Sequence, residues 1–365
     1  MLTPFRFRVL AVLMLGLSMI APGVMAQDAS PPGVDWPTDG WITVPPESEA
    51  MDANLSAEID ARVAAETPLL TSLIVIRNGK LVAERYYNGE TPEQPVMVWS
   101  VAKSVTSIAV GIAFREGLLT NLDQTLGELI PNDIPANADP RVGNITLHDL
   151  LTSTSGWEWD GRINFSRHDE TDQLDLMMAR PMVCDPGQCF EYDSTNANLL
   201  SLIIQRLSGQ TMADYLQSRL FDPLGIAKPE WLTTVFGSTR GAGGLWLTPT
   251  DMAKLGYLYL NDGMWDGQRI VDAEWVADST REQASGTSSM SGVNIGGGSY
   301  GYQWWVVEAA GHHAYYGNGY GGQLIFVVPN LNLVVVTAVA GTDVNDPQDQ
   351  QPALPLVEWL VGLAA

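Results

Sequence analysis

The sequence predicts an α/β (α+β) protein in which an antiparallel sheet of five or more strands is flanked by helices and lies beside an all-helical lobe. Two strand-like segments lie near the start of the 365-residue chain and three near its end, and the segments between them have mainly helical patterns. The simplest packing joins the five strands into one sheet and leaves the middle of the chain as a second lobe. A cleft between the lobes is where a ligand would bind.

The N-terminus has the pattern of a secretory signal peptide over residues 1–26. Arg6 and Arg8 form a short basic head, residues 9–20 are apolar, and small residues at 24–26 suit cleavage. The apolar run is too short to span a bilayer, although an uncleaved anchor is the alternative interpretation. We therefore expect a periplasmic or secreted protein that is not inserted in the membrane after cleavage.

The first predicted elements lie close together in the chain. Residues 27–50 are rich in Pro, Asp, Ser and Gly, which is typical of an extended linker. A helix at 56–66 follows, and then a hairpin whose two-residue turn is Asn78-Gly79. The next helix, at 101–116, is apolar over much of its circumference, so it must be buried.

Residues 51–365 form one predicted domain. Its sheet lobe takes about 51–98 and 300–365, and its helical lobe takes about 99–299. The hairpin strands lie at 73–76 and 81–83, the later strands at 302–308, 324–328 and 333–340, and the further helices at 197–207, 249–261 and 354–363. Alternating and continuous apolar runs of these lengths predict the element types.

The charge balance excludes two classes of partner. With 19 Lys and Arg against 42 Asp and Glu, the chain carries a net charge of −23, which disfavours nucleic acid and anionic membrane surfaces. The chain lacks a phosphate-binding Gly-Lys-Ser/Thr loop and a His or Cys ligand cluster, so we expect no cofactor and no metal. The expected partner is a small-molecule substrate; the oligomeric state is left open.

The chain has two cysteines, Cys184 and Cys189, with a Pro-Gly turn between them. Export to an oxidising compartment favours a small-loop disulfide. A two-cysteine metal site is the weaker alternative, because no third and fourth ligand lie nearby.

Ser100 and Lys103 form an S-x-x-K motif at the start of the buried helix. Residues three apart share a helix face, so the amine of Lys103 can reach the hydroxyl of Ser100. Burial lowers a lysine pKa, and a general base near neutral pH needs such a lowered pKa. Alternatively, Ser100 is a helix cap and Lys103 extends to solvent.

Two further segments carry candidate site residues. Tyr192 lies just before a predicted helix and could share the proton of Ser100 with Lys103. Gly317-Asn318-Gly319-Tyr320 leads into a strand, and glycines at a strand edge let a substrate approach the backbone. A backbone N–H there, together with that of Ser100, would make an oxyanion hole. Core packing and a tight turn are the alternative interpretations.

Together these motifs resemble the class C β-lactamase and penicillin-binding superfamily over residues 66–360. The resemblance rests on these segments: Trp-Ser-Val-Ala-Lys-Ser from Trp99, Ile-Thr-Leu-His-Asp-Leu-Leu-Thr-Ser-Thr-Ser-Gly at 145–156, Phe-Glu-Tyr-Asp-Ser at 190–194, and Gly-Gly-Gln at 321–323. Gly-Tyr-Gln-Trp-Trp at 301–305 makes it most similar to 6-aminohexanoate-dimer hydrolases and related family VIII esterases.

The resemblance implies a β-lactamase/transpeptidase-like fold and a role for each matching residue. By it, Ser100 is the nucleophile, Lys103 and Tyr192 are its proton partners, and the N–H groups of Ser100 and Tyr320 hold the oxyanion. Two positions depart from the β-lactamase pattern. Ser194 replaces the Asn of Tyr-x-Asn, and Gly317-Asn318-Gly319 replaces Lys-Thr-Gly, so the cation that grips a carboxylate is lost.

We therefore expect a serine acyl hydrolase that acts on amides or esters, such as 6-aminohexanoate-oligomer-like amides or short-chain esters. A β-lactamase or D-amino-acid peptidase of the same fold is the first alternative. The second is a catalytically silent protein that binds cell-wall peptides, and the third is an α/β-hydrolase using Ser299 in Gly-Gly-Ser-Tyr-Gly. A glycine-rich loop precedes Ser299 and a strand follows it, which is not the strand–turn–helix that such a nucleophile needs.

Overall fold

The computed structural model describes residues 34–165, 174–286, 298–339 and 353–365. The predicted signal peptide, and the predicted linker up to residue 33, lie outside the described residues. The helices are α1 Leu55–Glu66, α2 Val101–Arg115, α3 Leu126–Leu129, α4 Leu147–Leu151, α5 Gly161–Phe165, α6 Leu174–Met178, α7 Ser194–Ser208, α8 Met212–Leu216, α9 Pro249–Leu260, α10 Ala273–Ser279 and α11 Leu354–Ala364. Short 3-10 segments at Pro46–Glu49, Pro140–Asn144 and Pro329–Leu331 join some of them.

The strands form one large sheet and two small ones. They are β1 Ser72–Arg77, β2 Lys80–Tyr86, β3 Val96–Met97, β4 Trp246–Leu247, β5 Met264–Trp265, β6 Gln268–Arg269, β7 Ala284–Ser285, β8 Ser299–Tyr300, β9 Trp305–Ala309, β10 His312–Gly319, β11 Gln323–Val328 and β12 Leu333–Ala338. The large sheet has eight strands in the order β2-β1-β12-β11-β10-β9-β8-β7, and its paired strands are antiparallel. The predicted α+β class and antiparallel sheet are confirmed.

Helices cover both faces of the sheet, and the strand sequences show why. Ile74, Ile325 and Val336 pack with α2 and α9 in one core, while their chain neighbours pack with α1 and α11 in the other. Successive side chains of a strand point to opposite faces, so a sheet buried on both faces needs unbroken apolar runs. Leu-Ile-Val-Ile in β1 and Leu-Val-Val-Val in β12 are such runs.

The first hairpin has the predicted turn. Asn78 and Gly79 both adopt positive φ, at 49° and 78°, which a tight turn between antiparallel strands requires. β1 pairs with β2 on one side and with β12 on the other, in a register that puts Ser72 opposite Ala338. The N-terminal and C-terminal parts of the chain therefore share one sheet, as expected.

The structure corrects two predicted segments. The strand predicted at 302–308 starts only at Trp305, because Gln303 turns the chain with a φ of 61° and hydrogen-bonds to the carbonyls of Leu150 and Leu151. Strand β10 was not among the predicted strands; Gly317-Asn318-Gly319, expected at a strand edge, are its last residues, and residues 320–322 form the turn into β11. Among the described residues, no helix is long and apolar enough to cross a membrane.

Candidate active site

Ser100 lies directly before the first residue of α2, the helix that runs through the core between the sheet and the other helices. Residues 101–113 of α2 are all buried. Trp99, just before Ser100, has a φ of 49°, a left-handed conformation that is uncommon for a bulky residue and is found most often at functional sites. The hydroxyl of Ser100 makes no capping bond to the helix. It is instead available to side chains of the site, which removes the helix-cap interpretation.

Lys103 is buried and points back toward Ser100. Its Nζ donates to Ser100 Oγ at 2.9 Å, to Ser194 Oγ at 3.3 Å and to the carbonyl of Ala242 at 3.2 Å. The side chain does not extend to solvent, since the residue is 2% exposed. Burial lowers the pKa of Lys103 to about 7, an effect opposed by the negative charge of Asp193 and reinforced by the positive charge of Arg240.

Tyr192 completes the group around Ser100. Its hydroxyl hydrogen-bonds to Ser100, and Lys103 Nζ lies 4.7 Å from the centre of its ring. The ring is fixed by Trp305 and Tyr300, whose ring centres lie 5.5 Å and 6.0 Å away. Burial raises the pKa of Tyr192, so the phenol is neutral at physiological pH. The predicted convergence of an amine and a phenol on one hydroxyl is present in the structure.

Strand β10 lies beside Ser100. A Cβ at Gly319 would lie 2.3 Å from the carbonyl oxygen of Val98, so the strand end touches the turn that leads to Ser100. Tyr320 follows directly, and its ring lies 5.6 Å from that of Trp99. Asn318 pairs with Leu324 of the next strand. The end of β10 and Tyr320 therefore lie beside Val98 and Trp99, the two residues before Ser100. The oxyanion role of the Tyr320 N–H stays a prediction.

A disulfide joins Cys184 to Cys189 beside the segment that carries Tyr192. The loop that it closes docks on the end of α4: the N–H of Gly187 donates to the carbonyl of Thr154 at 2.8 Å. A Cβ at Gly156, whose φ is 91°, would lie 2.5 Å from the carbonyl oxygen of Cys184, so only glycine fits there.

Several contacts of the site had no signal in the sequence. The acceptor at Ala242 is a backbone carbonyl, which no side-chain pattern reveals. Arg180 and Asp193 form a buried ion pair at 2.7 Å next to Tyr192, and Arg180 belongs to no motif. For Lys103, Asp193 and Arg240 are the charged groups that affect its pKa, and neither was among the predicted site residues.

Ser299 does not have the position of an α/β-hydrolase nucleophile. It lies in the short strand β8 and pairs with Val306 and Ser285 of the neighbouring strands. Among the described residues, no group of three or more His, Cys, Asp and Glu side chains could hold a metal ion.

A profile of the Beta-lactamase family matches residues 59–356, which include every side chain of the site described above. The chain belongs to the Beta-lactamase family. The superfamily is one of serine hydrolases with amidase, β-lactamase and penicillin-binding members. Both the fold and the motif resemblance agree with this assignment.

Two curated relatives span most of the chain. It is 25% identical over 317 residues to a 6-aminohexanoate-dimer hydrolase of Paenarthrobacter ureafaciens, covering 78% of this chain and 76% of that protein. It is 27% identical over 278 residues to penicillin-binding protein 4 of Amycolatopsis lactamdurans, covering 66% of this chain and 71% of that protein. The first relative is named as a hydrolase of 6-aminohexanoate dimer.

A solved structure shows the same fold. The octameric penicillin-binding protein homologue from Pyrococcus abyssi superimposes with a TM-score of 0.64 at 21% identity, covering 84% of this chain and 77% of that one. At this identity, the likeness concerns the fold alone.

Proposed function

We propose that the protein is a serine acyl hydrolase that cleaves amides or esters through an acyl-enzyme at Ser100. The observation that carries the proposal is the 2.9 Å contact between Lys103 Nζ and Ser100 Oγ, made by an amine whose pKa is lowered to about 7. A general base works best when its pKa lies near the working pH. Near neutral pH, a substantial fraction of Lys103 is neutral and can accept the Ser100 proton.

The proposed reaction has two halves. Ser100 Oγ attacks the substrate carbonyl while its proton passes to Lys103 or, through the Tyr192 hydroxyl, toward the leaving group. The N–H groups of Ser100 and Tyr320 stabilise the oxyanion, and the protonated amine or alcohol departs. Water then attacks the ester of Ser100 and gives its proton to the same pair of side chains. They return a proton to Ser100 Oγ as the ester bond breaks and the acid is released. No step requires a cofactor.

The glycine-rich end of β10 supports amide or ester substrates over β-lactams. Asn318 and the flanking Gly317 and Gly319 occupy the positions where β-lactamases carry a cation that grips a carboxylate. Without that cation, recognition of an anionic substrate is weaker. We infer that 6-aminohexanoate-oligomer-like amides or short-chain esters are the substrates, with Ser194, Asn318 and Gly319 among the residues that contact them.

Labelling with a fluorophosphonate tests the mechanism. We expect the mature protein to gain one phosphonyl adduct on Ser100, detected by intact mass and peptide mapping. Ser100→Ala should abolish the adduct, and Ser299→Ala, the matched control, should leave it unchanged. A folded wild-type protein that forms no adduct would instead be a silent binding protein, and the proposal would fail.

A substrate panel separates the members of the family. We expect p-nitrophenyl esters of short acids, or 6-aminohexanoate dimer, to be hydrolysed and nitrocefin to be hydrolysed slowly or not at all. Rapid nitrocefin turnover would favour the β-lactamase alternative, and release of a terminal D-amino acid from a peptide would favour the peptidase. The partner in each case is a small molecule, and the net charge of −23 disfavours nucleic acid.

A further inference from the structure

A buried ion pair lies directly beside the candidate site. Arg180 Nη1 and Asp193 Oδ2 are 2.7 Å apart, and their side chains are 7% and 3% exposed. Charges buried so deeply are tolerated only when their remaining polar atoms are also satisfied. Arg180 meets this condition, since it donates to the carbonyls of Met177 and Glu158 and to Thr195 Oγ1, each at 2.9 Å.

Asp193 is linked to the site by the chain on both sides. It lies between Tyr192 and Ser194, and its Oδ1 accepts a hydrogen bond from the N–H of Thr195 at 2.7 Å, which caps α7. One carboxylate therefore determines where the chain leaves Tyr192 and where the helix carrying Ser194 begins. Both of those neighbours contact the site: Tyr192 hydrogen-bonds to Ser100, and Ser194 accepts from Lys103.

We propose that Asp193, held in place by Arg180, is a positioning residue of this site that orients Tyr192 and Ser194 around Lys103 and whose negative charge acts on the Lys103 amine. The inference rests on the proposed function, because the charge state of Lys103 matters to catalysis only if that amine takes the proton of Ser100.

The expected direction follows from the groups that face Lys103. Burial lowers the pKa of Lys103 most, Asp193 from the segment before α7 raises it, and Arg240 from the loop before β4 lowers it. Tyr192 faces the amine as a neutral phenol. Removal of the Asp193 charge should lower the Lys103 pKa further, so that more of the amine is neutral at a given pH. The acid limb of activity should then move to lower pH.

Asp193→Asn tests this inference, because asparagine keeps the shape and the ability to cap a helix. The measurement is the rate of Ser100 labelling by a fluorophosphonate as a function of pH. We expect the midpoint of the acid limb to fall by about 0.5 to 1 unit and the plateau rate to fall as well. A purely structural role would lower the plateau rate without moving the midpoint.

The single variant Asp193→Asn leaves the buried charge of Arg180 without its partner, which could prevent folding. The double variant Arg180→Gln/Asp193→Asn then provides the test. It removes both charges at similar volume and should move the midpoint in the same direction. The matched control is Asp251→Asn, because Asp251 also lies at the start of a helix and pairs with a lysine, Lys254, at 3.4 Å. We expect it to lower the melting temperature and leave the midpoint in place.

The outcomes separate the inference from the proposed function. An unchanged or raised midpoint in the folded Asp193 variants, with normal labelling of the wild type, overturns the inference alone. A wild type that is not labelled overturns the proposed function instead.

A second, independent observation concerns four buried polar atoms from α2, α9, α10 and the residue before β9. They are Ser107 Oγ, the Tyr259 hydroxyl and the indole nitrogens of Trp275 and Trp304. None of them makes a hydrogen bond of normal geometry among the described residues. The Tyr259 hydroxyl faces the other three groups and Ser279, so the polar atoms lie close together. A Cβ at Gly111 would lie 2.7 Å from the Trp275 nitrogen, which places that nitrogen one turn beyond Ser107. The Tyr259 and Trp304 ring centres are 4.5 Å apart.

We infer that these four atoms bind an ordered water molecule. An indole nitrogen can only donate, whereas the hydroxyls of Ser107 and Tyr259 can also accept. One water accepts two hydrogen bonds and donates two, so it would satisfy the two indoles and the two hydroxyls at once.

A crystal structure of the wild-type protein tests this site. We expect a solvent peak within hydrogen-bond distance of at least three of the four atoms, and its loss or displacement in Tyr259→Phe. Well-ordered side chains with no peak between them, or rotated side chains that bond directly to one another, would overturn the inference.

Discussion

Lys103 is a buried amine whose hydrogen-bond acceptors are three neutral oxygens. Its folded pKa of about 7 lies below the value of about 10.4 expected in an unfolded chain. Below about pH 7 both states hold the proton, and the folded state bears the full cost of a buried charge. That cost falls as pH rises and is gone above the unfolded pKa. The site is therefore a source of instability, most of all in acid.

Lys103→Met should abolish labelling of Ser100 while stabilising the fold, because methionine fills the space without a charge. We expect the gain in unfolding free energy to be larger at pH 6 than at pH 9 by about 3 kcal/mol. Urea unfolding at the two pH values measures it. A Lys103→Met variant less stable than the wild type at both pH 6 and pH 9 would contradict the conclusion that the buried amine destabilises the fold.

Tyr192→Phe should lower the labelling rate of Ser100 by about 100-fold, because it removes a hydroxyl that hydrogen-bonds to the nucleophile. Tyr300→Phe is the matched control, since its ring packs against Tyr192 and its hydroxyl bonds to Gln303. Kinetic labelling of both variants gives the comparison. Equal rates in the Tyr192 variant and the wild type would remove the phenol from the proposed proton path.

At the residue scale, the sequence predicts only those contacts that follow from the spacing of residues along the chain. Ser100 and Lys103 are three apart on one helix, so their contact is a property of helix geometry. Tyr192 could be assigned to the same site only because its segment resembles a motif of a known family. Asp193 and Arg180 meet by tertiary packing across 13 residues of irregular chain. No local pattern predicts such a pair.

At the scale of elements, the Cys184–Cys189 disulfide closes the loop 184–189, which comes directly before the segment that carries Tyr192 and stabilises it. Replacing both cysteines by serine should lower the unfolding free energy by about 2 kcal/mol, as expected for closure of so short a loop. Thermal or urea unfolding measures the loss. Treatment of the wild type with a reducing agent should give a similar loss, and no change in either experiment would mean that the loop is held by its backbone contacts alone.

Strand β10 shows why some elements escaped prediction. It contains Gly317-Asn318-Gly319, whose residues are poor strand formers on their own. The strand exists because β9 and β11 pair with it on both sides and because glycine lets it approach α2. The first hairpin, by contrast, was predictable because Asn78-Gly79 encodes its turn locally.

For the whole molecule, the fold class was predictable because strands cluster at both ends of the sequence and helices in the middle. The number of strands was not, since β7 and β8 are two residues long and leave no periodic pattern. The boundaries of the two lobes stay a prediction. So does export, which rests on the pattern at residues 1–26.

If the N-terminal segment is a signal peptide, the protein recovered from the periplasm or the medium should begin at Gln27. N-terminal sequencing and intact mass measure this. Replacement of Ala26 by a bulky residue should block cleavage and retain the longer form in the membrane fraction. Full-length protein in the cytoplasmic fraction would contradict the expectation.

The pairing of β1 with β12 joins residues on opposite ends of the polypeptide, Ser72 with Ala338. Until β12 has emerged from the ribosome, the N-terminal hairpin lacks the neighbour that joins it to the rest of the sheet. Such long-range closure makes folding slow and late. The nascent chain cannot complete this sheet ahead of time, so any hydrolytic activity would arise only after β12 has been synthesised.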